Sequence, residues 1–302
     1  MRRSATSWLA PLSLAALAVH ASDNAATPAA RAQAPALPPI DAATSLLVVA
    51  PHPDDETLCC GGVIQRVVRA GGRVTVLWLT SGDAARRVLV SMSRSLFPAP
   101  AVARELGAQR MAEARSAAAR LGVRPAGQVF LGYPDGGLLE LLGAHRTIPY
   151  ISRTTGAAAV PYGAALAADH PYTGASLEQD FSAVLEHARP TLILAPTPLD
   201  AHPDHRAAGL LTQALGARYA MVRYWIVHGG AGWPTPADLL PGVPLTPAPR
   251  ARALAPQAFG LEPAEEDGKL AALQSYRTQL QLTAPFLLSF VRTNELYSLR
   301  AF

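Results

Sequence analysis

Apolar and polar positions along the chain follow two alternating rhythms. Short runs rich in β-branched residues, SLLVVA (Ser45 to Ala50) and RVTVLWLT (Arg73 to Thr80), read as buried strands. Between them ETLCCGGVIQRVVRAGG has helical spacing and a glycine stop at Gly71. The three segments make a βαβ unit. The alternation continues with a helix from Ala103 to Leu121, a strand at QVFLG, a helix from Ser176 to Ala188 and a strand at TLILAP. A helix near His205 to Leu215 and a strand at VRYWIVHG follow, and KLAALQSYRTQLQLTAPFLLSFV returns to helical spacing before Pro285. This order predicts an α/β, Rossmann-like fold: a mostly parallel sheet with helices on both faces. Ligands in such sheets lie beyond the carboxyl ends of the strands.

Two stretches interrupt the rhythm. Residues 141–175 carry Gly, Pro, Tyr and Thr without clear periodicity, and a loop of that length is expected to serve as a lid or substrate wall. Residues 229–263 hold eight prolines and read as an irregular surface excursion. At the start, Arg2 and Arg3 precede the apolar stretch WLAPLSLAALAV, and VHA at Val19 to Ala21 is a small-residue cleavage pattern, so residues 1–21 read as a secretory signal peptide. The alternative is a membrane anchor, but the stretch is shorter than the roughly 20 residues that span a bilayer. Residues 22–39 are Ala/Pro-rich and read as a disordered tether, with a single catalytic domain over 40–302. Export to the periplasm or the medium is the expectation, without stable membrane insertion after cleavage.

Composition narrows the partners. Half of the 302 residues are apolar, enough for a large core, and the formal charge of +4 comes from scattered arginines without a basic block, which speaks against nucleic acid. The only cysteines, Cys59 and Cys60, are neighbours in the chain. Neighbours in a helix do not match disulfide geometry, so no bridge is expected, and two small packed residues are the simplest reading.

The chemistry lies in a repeated triplet. HPDDE (His52 to Glu56) follows the first strand, and HPDH (His202 to His205) follows TLILAP. Proline at a first helical turn, aspartate as a cap and acids near a helix N-terminus explain one copy by helix capping alone. Capping requires no histidine, still less one in both copies. Bringing the two strand ends together assembles His52, Asp54, Asp55, Glu56, His202, Asp204 and His205 in one cleft. Two imidazoles and a carboxylate form a catalytic zinc set that leaves a position for water, whose pKa the ion lowers. A carboxylate outside the set can act as general base, and a remaining histidine, if protonated, can stabilise an oxyanion and protonate a departing amine.

PHPDDE at 51–56, paired with HPDH at 202–205, resembles the signature of the LmbE/PIG-L-type zinc-dependent de-N-acetylases. Pro51 stands where that family usually has alanine. The resemblance runs from Ser45 to about Ala217. It implies His52, Asp55 and His205 as zinc ligands, with ferrous iron an alternative ion. It further implies Asp54 as general base, and His202 as acid or oxyanion stabiliser, oriented or charged by Asp204. RMAEARSAAARLG and LGYPDGGL resemble family segments that reach sugar hydroxyls, which makes Arg110 and Asp135 candidates for substrate contact. The plainer readings are an exposed arginine paired with Glu113, and ordinary turn chemistry at Asp135. Asp200 either bonds the free nitrogen of a metal-ligating ring or caps its loop. Glu56 reads as a helix-start or supporting acid, Glu295 in NELY as either packed by the site or exposed, and His228 as a core histidine. The resemblance implies removal of acetyl from an N-acetylated amino sugar or glycoconjugate. The alternatives are a non-catalytic carbohydrate-binding protein and a hydrolase of another amide or an O-acetyl ester.

Overall fold

A computed structural model of the chain describes residues 35–302. The signal-peptide reading and most of the tether lie outside the described residues. Ala36 and Leu37 are buried, and Arg223 Nε donates to the Ala36 carbonyl at 3.0 Å, so packed structure begins a few residues before the expected Ile40.

The elements in chain order are β1 (Ser45–Ala50), α1 (Asp55–Arg69), β2 (Arg73–Thr80), α2 (Arg86–Ser93), α3 (Pro100–Arg120), β3 (Gln128–Tyr133), α4 (Leu138–Leu141), α5 (Gly174–Ala188), β4 (Leu192–Pro196), α6 (Pro203–Leu215), β5 (Met221–Trp225), β6 (Gln257–Gly260), α7 (Pro263–Leu273), α8 (Arg277–Leu288) and β7 (Asn294–Tyr297). Five strands form one parallel sheet in the order β3-β2-β1-β4-β5, and β6 pairs antiparallel with β7 apart from it. β1 is central and buried on both faces. Leu46, Val48 and Ala50 pack with α1 residues such as Val63 and Val67, while Leu47 and Val49 pack with Phe181 of α5 and Leu211 of α6. That is why its sequence is continuously apolar rather than alternating.

The order also fixes where a ligand can enter. From β1 the chain winds outwards through β2 to β3, then crosses back to β4 beside β1 and winds the other way. Helices following the adjacent strands β1 and β4 therefore leave to opposite faces, and a crevice opens beyond their carboxyl ends. His52 follows the Ala50 end of β1 almost at once, and His202 follows the Pro196 end of β4 after a short turn.

Three sequence expectations are modified. Cys59 and Cys60 are joined by a disulfide, S–S 2.17 Å, where no bridge was expected. The expectation rests on the mismatch between disulfide geometry and neighbouring helical positions; here the turn is also held from outside α1, where Gly62 and Val63 N–H groups donate to the Glu295 carboxylate and Tyr297 OH donates to the Cys59 carbonyl. Secondly, α8 continues past Pro285 to Leu288, and the expected stop becomes a kink at Thr283 (φ −132°, ψ 20°). Thirdly, β5 ends at Trp225, because the Val227 and His228 N–H groups donate to the Asp200 carboxylate instead of a neighbouring strand. The 229–263 segment is irregular apart from a 3-10 turn (Pro249–Leu254) and β6, and buried Arg292 ties it down through the Pro236 and Asp238 carbonyls.

Candidate metal centre

Three donor atoms from the two motifs meet at one point. His52 Nδ1 lies 3.3 Å from Asp55 Oδ2, His205 Nε2 lies 3.1 Å from the same oxygen, and the two ring nitrogens are 3.3 Å apart. A tetrahedral ion with bonds of about 2.1 Å spaces its donors about 3.4 Å apart, so the triangle fits one face of a zinc or ferrous coordination shell. The local backbone explains the convergence. Thr80 N and Oγ1 both hold the Pro51 carbonyl, which fixes the exit from β1, and Asp55 opens α1. At the other motif His202 caps α6, its Nδ1 accepting from Asp204 N at 3.2 Å, which sets His205 one turn into the helix.

The opposite nitrogen of each ligand ring faces carboxylates. His205 Nδ1 is 3.2 Å from Asp200 Oδ2, and His52 Nε2 is 3.2 Å from Asp204 Oδ2 and 3.3 Å from Asp135 Oδ1. Such partners fix ring orientation and raise ligand basicity. Burial alone would lower the His52 pKa, yet Asp135, Asp204 and Asp55 hold it well above its ordinary value. Burial likewise opposes, and Asp55 with Asp200 overcomes, at His205, which is raised to about 10. Burial acts to raise the Asp55 carboxyl, but the two imidazoles hold it well below the carboxylate range. The carboxylates Asp55, Asp135, Asp200 and Asp204 thus favour positive charge at the two rings, as a cation site requires.

Asp54 stands beside the triangle, directed elsewhere than its neighbour Asp55. Its backbone has φ 122° and ψ −32°, a region that costs a non-glycine residue on the order of 1–3 kcal/mol. Burial raises its carboxyl to about 7, against the lowering influence of Arg110. Arg110 is buried; its Nη2 donates to Asp54 Oδ2 at 3.1 Å and to the Pro53 carbonyl at 2.6 Å, and its Nη1 donates to the Gly82 carbonyl at 2.7 Å. It is therefore neither exposed nor paired with Glu113, which instead accepts from Thr278. Gly82 has φ +68°, and a Cβ there would stand 2.0 Å from Arg110 Nη1, so only glycine admits the guanidinium.

Asp204 does not orient His202 with its side chain. It accepts from Gly136 N at 2.7 Å and Leu138 N at 3.1 Å and points at His52, because the turn after β3 offers it two backbone donors. Asp135 accepts from Ala84 N at 2.8 Å and faces both His52 and the cavity. His202 sits with its ring centroid 4.6 Å from that of His52, and its donor lies within 4.8 Å of those of His52 and His205. Burial and the neighbouring His52 and His205 charges lower its pKa to about 3, so the ring is neutral at neutral pH. With Nδ1 accepting from a backbone N–H, the proton of that neutral ring is on Nε2.

A cavity of about 250 Å³ opens over these groups. Its floor includes His52, Asp54, Asp55, Asp135 and His202, and its wall includes the apolar side chains of Val227, Phe286 and Leu287 together with Thr283. No residue of 141–175 is in that lining. His228 also belongs here, its ring 4.8 Å from that of His205 and stacked at 5.8 Å on Phe286. The sequence alone suggests a core histidine, although its place just beyond β5, on the same edge of the sheet as the motifs, is a usable signal. The α8 wall had none, since no pattern in KLAALQSYRTQLQLTAPFLLSFV says which face turns to a distant cleft.

Residues 47–215, more than half of the chain, match the family PIG-L, described as GlcNAc-PI de-N-acetylase. The chain is 31% identical over 209 residues to the 1D-myo-inositol 2-acetamido-2-deoxy-alpha-D-glucopyranoside deacetylase of Tsukamurella paurometabola, covering 61% of this chain and 62% of that protein. It is 32% identical over 203 residues to the protein of the same name from Rhodococcus erythropolis, covering 64% and 59%. It thus spans about three-fifths of the length of these curated relatives. In fold it is similar to the N,N'-diacetylchitobiose deacetylase from Pyrococcus horikoshii, with a TM-score of 0.52 at 19% identity over 83% of this chain and 82% of that one. The family segment carries both strand ends of the crevice and all three donors of the triangle: the chain belongs to the PIG-L family.

Proposed function

We propose that this protein is a metal-dependent hydrolase that removes the acetyl group from an N-acetylated amino sugar or glycoconjugate, with zinc as its ion. The observation that carries the reading is the triangle of His52 Nδ1, Asp55 Oδ2 and His205 Nε2 with an unengaged carboxylate oxygen beside it. The named activities of the relatives, deacetylation of an acetamido sugar conjugate among them, support the substrate class. His52, Asp55 and His205 would hold the ion, which when bound acidifies water and polarises an amide carbonyl.

The remaining steps belong to the chain's own groups. Asp54 Oδ2 is held by Arg110, and Oδ1 makes no hydrogen bond among the described residues, so Oδ1 accepts a proton from water as its oxygen adds to the amide carbon. His202 Nε2–H donates to the carbonyl oxygen as that atom gains charge, in the manner of a neutral imidazole electrophile. When the C–N bond breaks, the proton taken by Asp54 passes to the departing amine, giving acetate and the free amino sugar. Arg110 holds the base in place, and Asp135 at the cavity edge is placed to accept from a sugar hydroxyl. Cell-envelope glycans are the proposed encounter, through export directed by residues 1–21.

The test combines metal analysis with release of acetate and free amine from N-acetylglucosamine-containing substrates by the full chain. Asp54→Ala is expected to keep its metal and lose about 10²–10⁴ in kcat. Wild-type turnover by that variant overturns the role of Asp54; sugar binding without any acetate release overturns catalysis.

A further inference from the structure

We propose that Glu56 is a positioning residue for the reaction: together with Trp78 and Tyr276 it locks the backbone of Asp54, and so aims the base at the metal triangle. The inference rests on the reading of Asp54 as general base and adds to it the device that keeps Asp54 in a conformation it would otherwise leave.

Asp54 has two tasks that conflict in a regular helix start. Its carbonyl must accept the first helical bonds, from Thr57 N and Leu58 N at 3.0 Å each, while its side chain turns away from Asp55 into the cavity. The positive φ achieves this, and such a conformation persists only where surrounding contacts over-determine it. Arg110 holds the carboxylate end. The backbone end is held by Glu56, whose Oε2 accepts from Asp54 N at 3.2 Å.

Glu56 has no freedom to do otherwise. It is fully buried and has no ion-pair partner among the described residues; four donors surround it instead. Trp78 Nε1 donates to Oε2 at 2.9 Å, and the hydroxyls of Thr57 and Tyr276 donate to Oε1. Trp78 belongs to β2 and stacks on Phe130 of β3 at 4.3 Å, so it is fixed by the sheet. Tyr276 is fully buried at the N-terminus of α8, the helix that supplies Gln279, Thr283, Phe286 and Leu287 to the cavity wall. The helix that lines the cavity is thereby joined through one carboxylate to the backbone of the base. An apolar residue would fill the space as well, but it would leave four buried donors unpaired, the Asp54 N–H among them. Glutamine offers one acceptor oxygen and two further donors, so it cannot satisfy the same set.

The experiment measures kcat, KM and bound metal for Glu56→Gln and Tyr276→Phe in the full chain, each alone and combined with Asp54→Ala. Glu56→Gln is expected to retain one ion per chain and a KM within about threefold, while kcat falls about tenfold or more. Tyr276→Phe, which removes one donor, should fall in the same direction by less. On the Asp54→Ala background both should change kcat by no more than about twofold, because the group they position is gone. If Glu56→Gln does not fold, Tyr276→Phe carries the same comparison. Wild-type kcat in the folded variants, loss of the metal, or an undiminished effect without Asp54 would each overturn the proposal. A wild-type rate in Asp54→Ala alone would instead overturn the function from which it starts.

Discussion

Asp83 is a buried acid that is not itself one of the three donors of the metal triangle. Burial first, and then the Asp135 charge, push its carboxyl up to about 7; Tyr162 OH donates to Oδ2 at 2.5 Å and Oδ1 has no partner. The folded chain holds this proton to about pH 7, whereas the unfolded chain releases it near about 3.9. Between those values the folded state binds more protons, so this contribution to stability is fully present below about pH 4 and is lost as pH rises through about 7. Asp83→Asn carries no such proton, and its Tm relative to wild type should therefore climb between about pH 4 and pH 8; a constant difference would show that Asp83 ionises in the ordinary way. At this scale the sequence exposes chemistry only where residue types recur. His52, Asp55 and His205 stand out because a histidine twice follows an apolar run. Trp78 and Tyr276 do not, since their function is to donate to an acid 22 and 220 positions away.

Elements are pinned to one another by buried polar contacts that no periodicity announces. Lys269 of α7 and Glu295 of β7 pair at 2.9 Å with both side chains sealed from water, and Glu295 also receives Gly62 N, Val63 N and Tyr297 OH. This cluster braces the middle of α1, the helix that begins with Asp55. Removing one partner leaves a buried charge uncompensated, so Lys269→Met should lower unfolding free energy by about 3–5 kcal/mol, read by denaturant titration. A loss under about 1 kcal/mol would mean that the three other donors suffice for Glu295. The strands and long helices themselves were legible, because a buried strand and an amphipathic helix write their burial into adjacent residues. The antiparallel pair β6–β7 and helix α2 were not: these elements are short, and β6 and β7 find each other only across the two intervening helices α7 and α8.

For the whole molecule, the decisive feature is the reversal of winding between β1 and β4, which places two segments 150 positions apart at one crevice. An ion gripped by His52, Asp55 and His205 would tie the two halves of the sheet at that point. A ligand at a thousandfold its Kd adds about 4 kcal/mol to stability, so dialysis against a chelator should lower Tm by several degrees, and a His205→Ala protein should show no such response. An unchanged Tm in wild type would remove the triangle as a metal site. The sequence alone determined the parallel α/β architecture, the two motifs and their place at strand ends, because each is a property of residues close together in the chain. Only the tertiary structure decided that Arg110 clamps Asp54, that Asp204 serves His52 rather than His202, and that α8 walls the cavity. Those are choices among many buried donors and acceptors, made by which groups the packing leaves within three ångströms or so of each other, and no local pattern encodes that distance.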